Sequence, residues 1–344
     1  MSRHTPFVQL FLARIREFLR EPEVVFWVFG FPLLLAVGLG VAFRNKPPDE
    51  IVVGILKSEA AAATAGVLRQ DAGFRASILG SEEASRQLRL GKVSLLVVPG
   101  DTYEYRYDPT RPESVLARQM VHDALERAAG RTDRVEVRET LITQPGARYI
   151  DFLIPGLLGM NIMSGGMWGV GFVLVDMRSR KLLKRLVATP MPRSHFLGSM
   201  MASRMLFVFI EMLLMLAFGW LVFSLVIMGS LGAIFLLTIL GSFVFAGIGL
   251  LVGSRTQKIE TISGLMNLVM LPMFVFSGIF FSSERFPEFL QPFIKALPLT
   301  ALNDALRATI LEGASLASQS GRIGILIAWG TLAYLGALKL FKWT

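Results

Sequence analysis

Cysteine is absent from this 344-residue chain. Its absence excludes disulfides and thiolate metal sites and leaves the redox compartment open. Charge is scarce: Asp, Glu, Lys and Arg make up 18% of the residues, where a soluble domain carries about 25%. A phosphate-binding loop is missing too. The only Gly-Lys pair, Gly91 and Lys92, is followed by Val93 rather than Ser or Thr, so the Gly-rich nucleotide cradle is excluded. No His-Glu-x-x-His helix and no nucleophile elbow occurs, which removes zinc-protease and serine-hydrolase chemistry.

What the chain has in excess is apolar residue, 53% of the total, with a mean hydropathy of +0.55. The charges concentrate in residues 44–148, where the two signs nearly balance. The net charge of +9 therefore lies mostly outside that block. Those basic residues sit at the ends of apolar runs, where topology and lipid headgroups account for them. No basic, aromatic-lined groove accompanies them, so nucleic acid is not the partner.

A helix rising 1.5 Å per residue needs about 20 apolar residues to cross a bilayer. Six runs qualify: 24–43, 150–175, 205–227, 231–252, 262–281 and 323–341. The first is too long for a signal-peptide core and has over twenty residues before it, so it reads as a retained span. Lys and Arg in short flanks set orientation. They crowd the N-terminus (Arg3, Arg14, Arg16, Arg20), the loop after span two, the loop after span four (Arg255, Lys258) and the tail (Lys339, Lys342). Both termini are expected on the cytoplasmic side, which places 44–148 outside. Trp27 and Trp343 suit the inner interface and Tyr149 the outer one. Trp168 and Trp329 fall mid-span without an explanation.

The expected architecture is an α-helical membrane protein in four parts. Residues 1–22 form an interfacial amphipathic helix, with Phe7, Leu10, Phe11, Ile15, Phe18 and Leu19 on one stripe and Arg14, Arg16, Glu17 and Arg20 opposite; Pro22 breaks it from the first span. Residues 23–43 form that span. Residues 44–148 form a small extracytoplasmic α/β domain, with strands at 51–56, 93–98 and 103–107 and helices near 60–70, 82–90 and 114–129. No metal, nucleophile or phosphate-loop constellation is visible in it, and His122 reads as a solvated helix residue. Residues 149–344 hold spans two to six. Between spans five and six, prolines 287, 292 and 298 cut 284–313 into short helices that dip part-way into the membrane, where non-helical backbone must be buried in protein.

The segment 176–198, DMRSRKLLKRLVATPMPRSHFLG, is short, basic and closed by Pro190 and Pro192. Leu182, Leu183, Leu186 and Val187 share one helical face, flanked by Arg180, Lys181, Lys184 and Arg185. These charges are suited to anionic lipid and to topology, and equally to a partner's acidic groups. RSRKLLKRLVATPMPRS, with Leu186, Thr189, Pro190 and Arg193, resembles the segment after span two in the membrane subunits of type-2 ATP-binding-cassette (ABC) exporters. The stretch LPMFVFSGIFFSSERFPEFLQPFIKALPLTALNDALRATILEG resembles the outer-leaflet region of the same family, with Pro272, Ser277, Gly278, Phe281, Pro287, Pro298, Asp304, Arg307 and Gly313. GKVSLLVVP is similar to the family's outer-domain strand. One departure stands out: the family commonly has Gly-Thr where this chain has Lys181 and Leu182, and Glu near Lys184.

The resemblance implies a permease subunit in the cytoplasmic (inner) membrane of a bacterium, working as a pair with an identical or related permease. Residues 178–190 would be a coupling helix that docks on a separate ATPase subunit. That subunit would hold ATP and Mg; this chain would bind no cofactor. Membrane lipids are partners, and a periplasmic adaptor is compatible with the family. The cargo would be amphipathic, lipid-like or drug-like. The expected path between permeases runs along spans two and five, near Asn161, Asn267, Pro272 and Ser277, with Glu211 of span three as a fifth candidate. Glu211 is the only acid well inside a span. Arg204, seven residues earlier, is expected to be too far for a tight pair, which favours a neutral, hydrogen-bonded Glu211. The rival functions are a membrane-anchored sensor and an ion-driven transporter; the coupling pattern speaks against the first and the scarcity of intramembrane acids against the second.

Overall fold

The structure, a computed structural model, describes residues 6–42, 50–100, 102–132, 148–188 and 192–340. The chain forms two compact units, residues 45–141 and the remainder.

The larger unit is helical. Helix α1 (Pro6–Arg20) ends at Glu21, and α2 (Pro22–Val25), a π-helical stretch at 26–30 and α3 (Phe31–Ala42) follow as one apolar rod. Pro22 sits at the first position of α2, where its missing N–H costs nothing. Among the described residues, six rods are long and apolar enough to cross a membrane: Pro22–Ala42, Tyr149–Ser179, Gly198–Phe223, Leu231–Gly253, Ile259–Phe276 and Ala317–Leu340. The chain is a multi-pass membrane protein. The second and fourth spans form its centre, each 61% buried, while the first, fifth and sixth are 17–22% buried and peripheral.

Two spans stop earlier than their apolar runs. The third ends at Phe223 because Ser224 adopts a left-handed turn (φ 52) and Met228 N–H then bonds to Ile310 O at 2.8 Å. The fifth ends at Phe276 because Gly278 turns the chain at φ 68, a conformation natural only to glycine.

The centre is built on α7 (Tyr149–Gly166), whose Leu153, Ile154, Leu157, Leu158, Ile162 and Met163 are fully buried. A π-helical stretch (Met167–Phe172) and α8 (Val173–Ser179) extend it. Each fully buried Leu or Ile contributes roughly 1.5–3 kcal/mol in water; in lipid, close packing replaces that term. Small residues supply the closeness against α11 (Leu231–Gly253): a Cβ on Gly249 would stand 3.0 Å from Met167 Cα.

The smaller unit is a four-stranded sheet in the order β2-β1-β3-β4. Strands β1 (Ile51–Leu56), β2 (Phe74–Leu79) and β3 (Leu95–Val98) are parallel, and β4 (Glu104–Arg106) runs antiparallel to β3. The strand β2, FRASIL, has no counterpart among the three expected from sequence. Helices α4 (Ala61–Gln70) and α6 (Pro112–Ala128) cover one face through Ala61, Leu68, Ala117 and Val121; α5 (Ser81–Arg89) covers the other through Ala84. The turn before α6 is held by Asp108, which accepts from Thr110 N and Oγ1 at 3.0 and 2.7 Å. Those bonds, Oγ1 first, lower its carboxyl below the usual carboxylate range.

Candidate functional site

Helix α8 ends at Ser179, and α9 (Leu182–Val187) starts three residues later. The redirection occurs at Lys181, whose φ is 58. A left-handed residue other than Gly, Asn or Asp carries a steric cost of roughly 1–2 kcal/mol. Arg180 leans back to Asp176, Nε to Oδ1 at 2.9 Å, and Asp176 O also accepts from Ser179 Oγ at 2.8 Å. Arg180, Lys181, Lys184 and Arg185 are exposed, and Leu182 is half-buried. The result is an open, basic turn. The side chains of Leu183, Leu186 and Arg193 lie outside the described ones, as do Thr189 and Pro190 altogether.

The root of this turn is fixed. Arg178 Nη1 donates to Gly253 O at 3.0 Å and to Thr256 O at 2.8 Å. These are carbonyls at and just beyond the C-terminus of α11, where helices leave acceptors unpaired and favour a cation. One guanidinium therefore ties the base of α9 to the loop that leads into α12 (Ile259–Phe276). Sequence reading singled out neither partner, because they are 75 and 78 residues apart.

Helix α1 braces the same region. Phe18 packs on Phe207 of α10 (Arg193–Phe223) with ring centroids 4.2 Å apart, and Leu10 joins Phe196 and Met200. Arg14 Nη2 reaches Met177 Sδ at 3.4 Å. The amphipathic stripe is thus covered in part by its own chain; of its six residues only Leu19 is exposed.

The intramembrane residues separate into groups. Glu211 and Arg204 form a buried ion pair, with Nη1 to Oε1 at 2.9 Å and Nη2 to Oε2 at 3.3 Å. The expectation that Arg204 is too far is wrong. Two turns bring residues i and i+7 back to the same face, the Glu side chain leans towards the helix N-terminus, and the long guanidinium arm covers the rest. Arg204 lies against Gly165 of α7, where any side chain would collide with the guanidinium.

Asn161 Nδ2 donates to Val28 O at 3.3 Å, a carbonyl in the π-helical stretch of the first span. Ser277 is fully buried at the end of α12, and its carbonyl accepts from Asn303 Nδ2 at 2.8 Å. Asn267 and Pro272 lie on the exposed face of α12. The five residues therefore do not converge within one chain.

Helix α14 (Pro298–Glu312) locks the far end of α12. Besides Asn303, its Arg307 donates to Phe152 O at 3.2 Å and to Gly278 O, and its guanidinium lies 3.6 Å from the centre of the Phe152 ring. Trp329, unexplained by sequence, donates from Nε1 to Ala296 O at 2.8 Å, and Trp168 packs on Phe172 at 5.2 Å.

Comparison with known proteins gives the same picture. ABC transporter G family member 20 of Dictyostelium discoideum is 28% identical over 206 residues, which cover 58% of this chain but only 27% of that protein. The linearmycin resistance permease protein LnrN of Bacillus subtilis (strain 168) is 19% identical, with 94% of this chain and 96% of that one aligned. Both are membrane-transport proteins by name, and the family of ABC-2 family transporter proteins matches residues 22–339. With its six spans, its basic turn and that match over nearly the full length, this chain belongs to the ABC-2 family of transporter proteins.

Proposed function

We propose that this chain is the membrane subunit of an ABC exporter, moving an amphipathic, lipid-like or drug-like compound outward with energy from a separate ATPase. The observation that carries the reading is the open basic turn at α8–α9, rooted by Arg178 in the α11–α12 loop. Force applied to α9 has a hydrogen-bonded route into the fourth and fifth spans. ATP and Mg belong to the partner ATPase, as the lack of a phosphate loop in this chain indicates. The linearmycin-resistance name of LnrN supports a toxic compound as cargo.

The α/β unit is assigned to the outside of a bacterial inner membrane and both termini to the cytoplasm, on the distribution of Lys and Arg. Helices α13 (Gln291–Ala296) and α14 are read as re-entrant: Ala296 bonds to Trp329, nine residues into α15 (Ser320–Leu340). A second permease is assigned to the exposed face of α12. Asn267, exposed there beside Leu268 and Leu271, would be costly in lipid.

The purified chain is expected to hydrolyse no ATP, and its complex with a co-expressed ATP-binding subunit to hydrolyse it. Hydrolysis by the rigorously purified single chain would sink the reading. Stable isolation without any ATPase from cells that express the candidate subunit would favour the sensor instead.

A further inference from the structure

Helix α15 carries Arg322, Ile325, Trp329 and Leu332 at spacings of three, four and three, which places them on one helical stripe. Helix α13 lies against this stripe, fastened by the bond from Trp329 to Ala296. Between them runs an open groove of about 420 Å³, lined by Pro292, Ala296, Ile325, Ala328, Trp329 and Leu332, with Lys295 at its edge. Ligand sites range from about 300 to 1,000 Å³, so the groove is large enough for an alkyl chain.

Its chemistry is one-sided. The indole N–H, the polar group of the Trp wall, is already satisfied by Ala296. Of the lining side chains only Lys295 carries another hydrogen-bonding group; Pro292, Ala296, Ile325, Ala328 and Leu332 are apolar, which suits a hydrocarbon and not a peptide or a sugar. Two cations flank the apolar walls: Lys295 lines the groove itself, and Arg322 extends the α15 stripe beyond Ile325. Lys295 is exposed and makes no ion pair among the described residues; Arg322, one turn before Ile325, has a single 3.4 Å bond to Gln319 Oε1. Asp304, the carboxylate near both, is paired with Arg307 at 3.5 Å. On a peripheral span of a multi-pass membrane protein, an apolar groove capped by two cations matches a molecule with one apolar chain and an anionic head.

We propose that the α13–α15 groove is a binding site for an anionic phospholipid, with one acyl chain against Trp329 and the phosphate between Lys295 and Arg322. Lys and Arg stems cover apolar surface while their heads reach the interface, which both rim residues are placed to do.

The full chain, reconstituted in nanodiscs of equal phosphatidylglycerol and phosphatidylcholine and then released for native mass spectrometry, tests this directly. Retained lipid is expected to be phosphatidylglycerol, enriched by about 5-fold for each rim cation. Lys295→Gln and Arg322→Gln should each lower that enrichment about 5-fold, and Lys295→Arg should keep it. Ala328→Trp, which fills the groove, should remove the retained lipid altogether. Because the rim variants are exposed, they keep the test decisive if Ala328→Trp misfolds. Equal retention of both lipids, or enrichment unchanged in Lys295→Gln and Arg322→Gln, overturns the proposal. A lipid-free dimer lost on Ala328→Trp would also overturn it and assign the groove to a second copy.

Discussion

Two arginine–carboxylate pairs in this molecule have the same 2.9 Å separation and opposite meanings. In the third span Arg204 and Glu211 are 8% and 2% exposed; at the α8–α9 turn Arg180 and Asp176 are 68% and 23% exposed. Distance does not rank them; surroundings do. The buried pair has lost its water, so each charge depends on the other and neither can be removed alone. The exposed pair competes with solvent and salt, and its net worth is on the order of 0–1 kcal/mol. A buried centre and an exposed turn thus use one interaction for two ends.

The largest effect should come from breaking the buried pair. Arg204→Met is expected to destabilise the chain by about 3–5 kcal/mol, read as a large fall in thermal midpoint or loss of folded protein in detergent. Arg204→Met with Glu211→Leu should recover most of that loss, since both charges are then gone. If the double variant is as damaged as the single, a carboxylate or guanidinium is required for more than pairing. The double variant Arg204→Met with Glu211→Leu then distinguishes structure from transport: export should persist in it if the pair only supports packing.

Next in size is Arg307→Met at the far end of α12. It removes donors from the Phe152 and Gly278 carbonyls and the contact with the Phe152 ring. An unsatisfied buried acceptor costs about 1–3 kcal/mol, so the fall in thermal midpoint should lie between those of Arg204→Met and the turn variants. A change no larger than for an exposed residue would show that this end is less rigid than its hydrogen bonds suggest.

At the turn itself the signs reverse. Lys181→Gly should stabilise by up to about 1 kcal/mol, because glycine enters the left-handed region without the Cβ clash and gives back part of that gain as chain entropy. Lys181→Val should destabilise. The same two variants should alter ATPase stimulation in the complex if the turn redirects force into α11 and α12. The smallest effect belongs to Asp176→Asn, about 0.5 kcal/mol or less and shrinking with added salt.

The contrast between these regions also explains what was legible beforehand. Composition and run length suffice for six spans because crossing a bilayer needs about 20 apolar residues whatever the tertiary fold. The break at Pro22 was legible for an equally local reason. What escaped depends on partners distant in the chain. The third span stops at Phe223 because Met228 bonds to Ile310. Arg178 reads as one more topological charge until Gly253 and Thr256 come within 3.0 Å. FRASIL was missed as a strand because its alternation is short and its ladder with Ile51–Leu56 is non-local. Arg204 was misjudged by counting rise along the axis and neglecting the length and lean of the side chains. Of the site, the basic cluster was visible and its anchor was not.

The central claim is that α9 meets an ATPase while the buried pair stays out of reach. Photo-cross-linking tests it: one reactive residue at Lys184, with a second chain labelled at Phe209 in the third span as the control, each in membranes holding the co-expressed ATP-binding subunit. A covalent adduct with that subunit from position 184, and none from 209, is the result expected. Adducts absent at 184 while the two subunits still co-purify would contradict the account.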